Sequence, residues 1–429
     1  MAVLQVALDF VDLERALQLA REAVEGGADW VEAGTPLLKS AGVDAIRRLR
    51  AEFPRAFIVA DTKTMDAGRT EMEIMSKAGA NAAVCLGVAS DATIRECIEA
   101  GRNYGLKVGV DLIGVADPVA RAQQAAEWGA EYVILHCGID QQMQGQTPFQ
   151  VLRDLAERSP IKVAVAGGIT SETVVDAVAN GAQIVIVGGA IIKSPDARKA
   201  TAEMVRAMKS GVRAATDHFK RAGADRIREA LMKVSSANVS DGGHRMPCLE
   251  GIRPLAQGMK LVGKVLTVRT YPGDWSKPVQ AIDQAEPGDV IVIDAGGRPP
   301  AVWGELATNS CIQRGIAGVV IDGAIRDTGD IRRLGFPAFA RHVVPNAGEP
   351  KGFGEIGVPI TISGIHIDPG DWLIGDDDGI IILPKARAVE LANYALDCLE
   401  RENRIRQEIE SGKTTLGQVT QLLRWEKVG

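Results

Sequence analysis

At 429 residues, with 46% hydrophobic and 24% charged side chains, the chain has the length of two or three domains and the composition of an ordinary globular protein. A net charge of −6 weighs against nucleic acid as a main partner, and 4% aromatic residues leave no stacking platform for single strands. No apolar run approaches the roughly 20 residues a membrane helix needs. MAVLQVALDF has no basic segment followed by a long apolar core, and the cysteines (Cys85, Cys97, Cys137, Cys248, Cys311, Cys398) lack CxxC or metal-type spacing, so reduced thiols in a cytoplasmic protein are expected.

The first ~210 residues repeat one rhythm, a short apolar β-rich run and then a helical stretch. The runs are VLQVALD (3–9), DWVEAG (29–34), FIVADTK (57–63), AAVCLG (82–87), KVGVDLI (107–113), YVILHCG (132–138), KVAVAGG (162–168) and IVIVGG (184–189). They are almost continuously apolar rather than alternating, as strands of a parallel sheet buried on both faces are. The intervening segments, such as LERALQLAREAVEGGA (13–28), are rich in helix formers. Eight β/α units in this length predict a (β/α)8 TIM barrel over 1–211. A doubly wound open sheet is the alternative, but it usually has fewer strands.

The rhythm stops at 204–244, a polar, helical stretch read as the last barrel helix, a linker helix over 212–230 and the first helix of a second domain, 231–429. That domain has strand candidates at 261–270, 289–297, 317–325 and 371–384, with PGD turns at 272–274, 287–289 and 369–371. GDDDG (375–379) reads as a hairpin turn. These features predict an α/β (α+β) sandwich with a mixed sheet, and 386–414 reads as a long charged helix, either a solvated surface or an oligomer contact.

Barrel active sites form at the C-terminal ends of the strands. Those ends carry Asp9, Glu32, Asp61 with Lys63 and Asp66, Asp111, His136, Gly167-Gly168 and Gly188-Gly189. Asp61 and Lys63 are two apart, so on a strand they share a side. Glu32 stands in a mostly apolar run, where a carboxylate is costly unless paired or bound to a cation. Glu32 with Asp61 makes a hard-oxygen pair suited to Mg²⁺. Paired glycines after strands seven and eight let backbone N–H groups approach a phosphate.

These residues carry a resemblance. The first ~210 residues resemble the 3-hexulose-6-phosphate synthases of the orotidine 5′-phosphate decarboxylase superfamily, whose D-x-K-x-x-D pattern stands here as Asp61, Lys63 and Asp66, with Asp9 as its first-strand partner. Glu32, where the orotidylate decarboxylases carry a Lys, points to the Mg²⁺-dependent branch. That branch also holds the 3-keto-L-gulonate-6-phosphate decarboxylases, which tend to carry an Arg just after the His; none occurs here between His136 and Arg153. The resemblance implies Glu32 and Asp61 as Mg²⁺ ligands and His136 as acid/base. The implied reaction is the reversible aldol condensation of formaldehyde with D-ribulose 5-phosphate. Gly189 departs from the pattern, because many relatives have an Arg there for the phosphate. The gulonate-phosphate decarboxylase, with a non-catalytic second domain for interaction or oligomerisation, is the competing expectation.

In the second domain, Glu305 opens a helix whose Leu306 and Ala307 N–H groups can meet an anion, and Arg326-Asp327 end a buried strand. From about 231 to 415 the chain looks like the regulator of ribonuclease activity A family, shared with the class II 4-hydroxy-4-methyl-2-oxoglutarate aldolases. The matching runs include LMKVSSANVSD (231–241), TVRTYPGDW (267–275), AVWGELAT (301–308), DGAIRD (322–327) and GDDDGIIILP (375–384). The aldolases show Asp, twenty residues, then Arg-Asp; here the first position is Glu305, and Asp330 follows the Arg-Asp pair. The resemblance implies Arg326 on the carboxylate of a 2-oxo acid, with Glu305 and Asp327 toward a metal. It also implies a homo-oligomer, since both families assemble.

Overall fold

The computed structural model describes residues 2–216, 219–412 and 414–420. They divide into two compact units: residues 2–142, 146–216, 219–221, 400–412 and 414–420, and Met143–Gly145 with Ala222–Leu399.

The first unit is a closed parallel barrel. Its strands are β1 (Val3–Leu8), β2 (Trp30–Ala33), β3 (Phe57–Thr64), β4 (Ala82–Leu86), β5 (Lys107–Asp111), β6 (Tyr132–His136), β7 (Lys162–Ala166) and β8 (Ile184–Val187). Closure comes from β8 pairing back on β1, Val3 opposite Ile184 and Val6 opposite Val187. Each predicted run contains its strand, except that β3 runs one residue further, to Thr64; a chain segment buried on both faces must be apolar at successive positions. One face packs into the lumen, where Ala7, Val59, Val84, Tyr132, Ile134, Ala164 and Ile186 meet. The other face packs under the helices, through residues such as Leu8, Ile58, Val110, Val133 and Val165.

The last barrel helix, Ala197–Ser210, stops at Gly211 in the left-handed conformation. The linker helix expected over 212–230 is formed only at its end among the described residues: 212–216 and 219–223 are irregular, and a short turn at Ala224–Arg226 leads into the helix Ile227–Lys233. Residues 217 and 218 of that stretch lie outside the described residues. High helix propensity did not prevail because the glycines Gly211 and Gly223 bracket a segment with few apolar residues to bury.

The second unit holds β9 (Arg253–Pro254), β10 (Leu261–Arg269), β11 (Val290–Asp294), β12 (Ala301–Trp303), β13 (Gly318–Ile325), β14 (Ala338–Val343), β15 (Glu355–Ile356), β16 (Ile360–Ile362), β17 (Ile365–Ile367), β18 (Trp372–Gly375) and β19 (Ile380–Leu383). The main sheet runs β19-β18-β10-β11-β13-β14-β9. Its centre is parallel, β10 to β14, and its edges are antiparallel, so it is the mixed sheet expected. The β18–β19 hairpin turns at GDDDG. Every residue of β13 is buried, in keeping with its apolar reading, and the one charge in it, Asp322, pairs with Arg341. The long helix Ala388–Glu410 belongs to this unit up to Leu399, whereas its residues from Glu400 group with the barrel rather than with 231–429 as expected.

Candidate active site

The strand ends of the barrel gather most of the expected residues. Lys63 Nζ lies 3.0 Å from Asp61 Oδ2 and 2.9 Å from Asp111 Oδ2. The same Asp111 oxygen is 2.8 Å from His136 Nδ1, and the second oxygen accepts the N–H of Ile113 at 2.9 Å. Thr35 Oγ1 donates to Asp61 Oδ2 at 2.9 Å. A chain Asp61–Lys63–Asp111–His136 therefore crosses from β3 to β6. Lys63 enters it through an unusual backbone: its φ is +48°, a left-handed value that costs a non-glycine residue about 1 kcal/mol, and the β3–β4 register shifts between Ala60 and Thr64. Such strain persists where surrounding contacts hold it, here two carboxylates on one ammonium.

Each charge in the chain responds to its neighbours. Burial alone pushes the Asp111 carboxyl up, but the hydrogen bond and charge of His136, with Lys63, bring it below its ordinary value. Burial likewise favours neutral Lys63, and Asp61 and Asp111 outweigh it, holding the ammonium charged. An ionised Asp111 only accepts, so His136 Nδ1 carries a hydrogen toward it, and in the neutral form of the ring the lone pair is on Nε2.

Glu32 stands in a different setting. It is 5% exposed, and its carboxyl is pushed well above the usual range by burial, then by Asp61 and Asp9; a hydrogen bond from Gln5 Nε2 and the charge of Lys63 oppose this. Asp9 is open to solvent on one side but surrounded by protein on the others, and loss of water followed by Asp61 raises it too. Three mutually repelling carboxylates thus face one lysine, a surplus of negative charge. Among the described residues no trio of His, Cys, Asp or Glu converges as a ready metal cage. Mg²⁺ does not require one, since it uses one or two carboxylates and keeps other positions for water and substrate. The donor chemistry of Glu32 and Asp61 fits that ion.

Asp66 does not join the network: it is exposed, and its Oδ1 accepts the N–H of Ala67 at 2.7 Å. Gly167 and Gly168 have φ of +103° and +68°, backbone that a side chain resists. Gly188 and Gly189 lead into the short helix Gly189–Ile192, the position of the phosphate site in barrels of this kind. Sequence reading overlooked Gln5, the polar residue inside the apolar run VLQVAL; that interruption was its signal. It also overlooked Thr35 and Lys193, which carry no pattern of their own.

In the second unit, Glu305, Arg326 and Asp327 come together, but not through both carboxylates. Asp327 Oδ2 accepts the Glu305 N–H at 3.2 Å and lies 3.5 Å from Arg326 Nε. Glu305 turns its side chain along its own helix, Glu305–Arg314, to Asn309 Nδ2. Leu306 is exposed and Ala307 half-buried on the first turn. Asp330 pairs with Arg333 instead. With Asp327 already on the helix start and Glu305 on Asn309, these two carboxylates do not form a metal-ready pair, and no metal step is derived for this unit.

Residues 2–204 match the orotidine 5′-phosphate decarboxylase / HUMPS family. The 3-hexulose-6-phosphate synthase of Methylomonas aminofaciens is 42% identical over 205 residues, 48% of this chain and 98% of that protein. The barrel belongs to the orotidine 5′-phosphate decarboxylase / HUMPS family. Its other relatives include the 3-hexulose-6-phosphate synthases of Mycobacterium gastri, 37% identical over 47% of this chain and 97% of that protein, and of Bacillus subtilis (strain 168), 35% identical over 48% and 99%. The HUMPS barrel makes this protein a lyase. Residues 236–382 match the RraA-like family, Aldolase/RraA, so the second unit is an RraA-like domain. Among the described residues no helix is long and apolar enough to cross a membrane, and the six cysteines form no disulfide.

Proposed function

We propose that the HUMPS barrel condenses formaldehyde with D-ribulose 5-phosphate to D-arabino-3-hexulose 6-phosphate, reversibly and with Mg²⁺. The observation that carries this reading is His136 held by Asp111, itself tied through Lys63 to Asp61, at the mouth of a barrel whose relatives are named for that synthase. Mg²⁺ on Glu32 and Asp61 would supply positive charge beside the oxygens of an enediolate. His136 Nε2 takes a proton from C1 of the sugar phosphate, and Asp111 stabilises the imidazolium that results. C1 then forms the new bond to the formaldehyde carbon, the C=O electron pair moves to oxygen, and a proton returned from the imidazolium makes the hydroxymethyl group. Lys63 bridges Asp61 and Asp111 and so holds both in place. The glycine loops after β7 and β8 hold the phosphate.

For the RraA-like domain, Arg326 is the residue suited to the carboxylate of a 2-oxo acid, by its two-pronged geometry and its exposure beside Asp327. The test follows formaldehyde consumption with ribulose 5-phosphate, with Mg²⁺ or with EDTA, in wild type, His136→Ala and Arg326→Ala. Activity that needs Mg²⁺ and His136 but not Arg326 is the expected result. No consumption by wild type, with CO₂ released from 3-keto-L-gulonate 6-phosphate, would replace this reading with the decarboxylase.

A further inference from the structure

Gly189 offers no side chain to a phosphate, and the structure shows what lies over it. Lys193 leans back along its turn, so that Cε, Cδ and Nζ stand 3.7–3.8 Å from where a Cβ on Gly189 would be. Its charge acts on Asp9, which places the ammonium toward the acids of the barrel mouth. The next two residues are held from a distant part of the chain. The carbonyls of Ser194 and Pro195 accept from Arg404 Nη1 at 2.7 and 2.9 Å. Arg404 is 5% exposed, and its other nitrogens are engaged: Nη2 donates to Glu22 Oε1 at 3.0 Å and Nε to Glu408 Oε1 at 2.7 Å. Glu408 in turn accepts from both terminal nitrogens of Arg15 at 2.8 and 3.0 Å. Arg15 and Glu22 lie on the first barrel helix, Leu13–Glu25. All of these residues belong to the barrel unit.

A guanidinium buried with its nitrogens engaged by two carboxylates and two carbonyls is a rigid brace, because losing it leaves several buried groups without partners. The three synthases compared above are matched over nearly their whole length within the first half of this chain, so they have no counterpart of Arg404. The brace is an addition carried by the segment after the second domain.

We propose that Arg404 is a positioning residue of the sugar-phosphate site: it fixes the loop at Ser194-Pro195 so that Lys193, rather than a side chain at 189, meets the substrate phosphate. This rests on the sugar-phosphate reading of the barrel. A braced loop presents the ammonium without the entropic cost of ordering it on each binding event.

The test uses the full chain with Lys193→Ala, Arg404→Ala, Arg404→Lys and the Lys193→Ala/Arg404→Ala pair. Calorimetric titrations with ribulose 5-phosphate and, separately, with inorganic phosphate accompany steady-state kinetics. Loss of one charge-assisted contact is expected to weaken both ligands about 10- to 100-fold in Lys193→Ala, and Arg404→Ala about tenfold. KM for ribulose 5-phosphate rises with them while kcat and the KM for formaldehyde stay within about twofold. Arg404→Lys restores part of the loss, and the double variant is no weaker than Lys193→Ala, because Arg404 acts through Lys193. Unchanged ligand affinity in Arg404→Ala, whatever its melting temperature, overturns the proposal, as does unchanged affinity in Lys193→Ala. A wild type that does not turn over but whose phosphate binding falls in both variants sinks the synthase reading and leaves this one standing. A wild type that binds neither ligand sinks both.

Discussion

His136 and Asp111 are hydrogen-bonded to each other, and if they act as proposed, substitutions at either should show it. His136→Ala is expected to lower kcat for formaldehyde consumption by about 10²- to 10⁴-fold, the usual worth of a placed acid/base. Asp111→Asn should cost at least about 10², because an amide can donate to Nδ1 and so allow the tautomer that places the hydrogen on Nε2. Equal activity in Asp111→Asn and wild type would remove Asp111 from the mechanism. Glu32 behaves in the opposite sense, since its buried carboxylate faces Asp61 and Asp9. Glu32→Gln should abolish turnover yet raise the melting temperature of the metal-free protein by about 2–4 °C, the equivalent of ~1 kcal/mol in a domain of this size. Added Mg²⁺ should raise the melting temperature of wild type and leave Glu32→Gln where it is; a matched rise in both would take Glu32 out of the metal site.

Individual elements show where sequence patterns end and context begins. The run FIVADTK identifies β3, and the two-residue spacing of Asp61 and Lys63 brings them together, but the left-handed Lys63 that delivers the ammonium to Asp111 on β5 is invisible to strand periodicity. Asp111 was legible only as a strand-end acid; its partnership with His136 depends on two neighbouring strands of a closed barrel. In the RraA-like domain the PGD at 272–274 reads as a turn, whereas the structure makes Asp274 the anchor of a distant loop. It is 3% exposed and accepts from Ser276 Oγ at 2.7 Å, Lys351 N at 3.1 Å and Phe353 N at 2.9 Å. Burial works against its charge, but these bonds prevail and bring its pKa from 3.8 to about 2. A lowered carboxyl pKa contributes stability that is present above the unfolded value and is lost as pH falls from about 4 toward 2. Asp274→Ala should therefore cost about 1–3 kcal/mol in urea unfolding near pH 7, and the gap from wild type should shrink by pH 3. A gap independent of pH would assign the effect to packing alone.

Two families meet in one chain, and each half gathers its own cluster of charged residues. Arg326→Ala is expected to leave formaldehyde consumption within about twofold of wild type, and His136→Ala to leave any 2-oxo acid turnover unchanged, because sites sharing no partner behave independently. Loss of barrel activity in Arg326→Ala would show coupling that neither site's geometry contains. The sequence by itself determined the barrel, the mixed sheet and the acids at the strand ends. Apolar runs buried on both faces, turn residues and strand-end positions all follow from local chemistry and a period along the chain. It could not determine that the linker stays irregular, that Glu305 turns away to Asn309, or that Asp66 stands apart. Nor could it place Arg404 on the loop beside Lys193, over 200 residues away. Those outcomes depend on which groups compete for the same buried partner, and only the tertiary structure brings the competitors together.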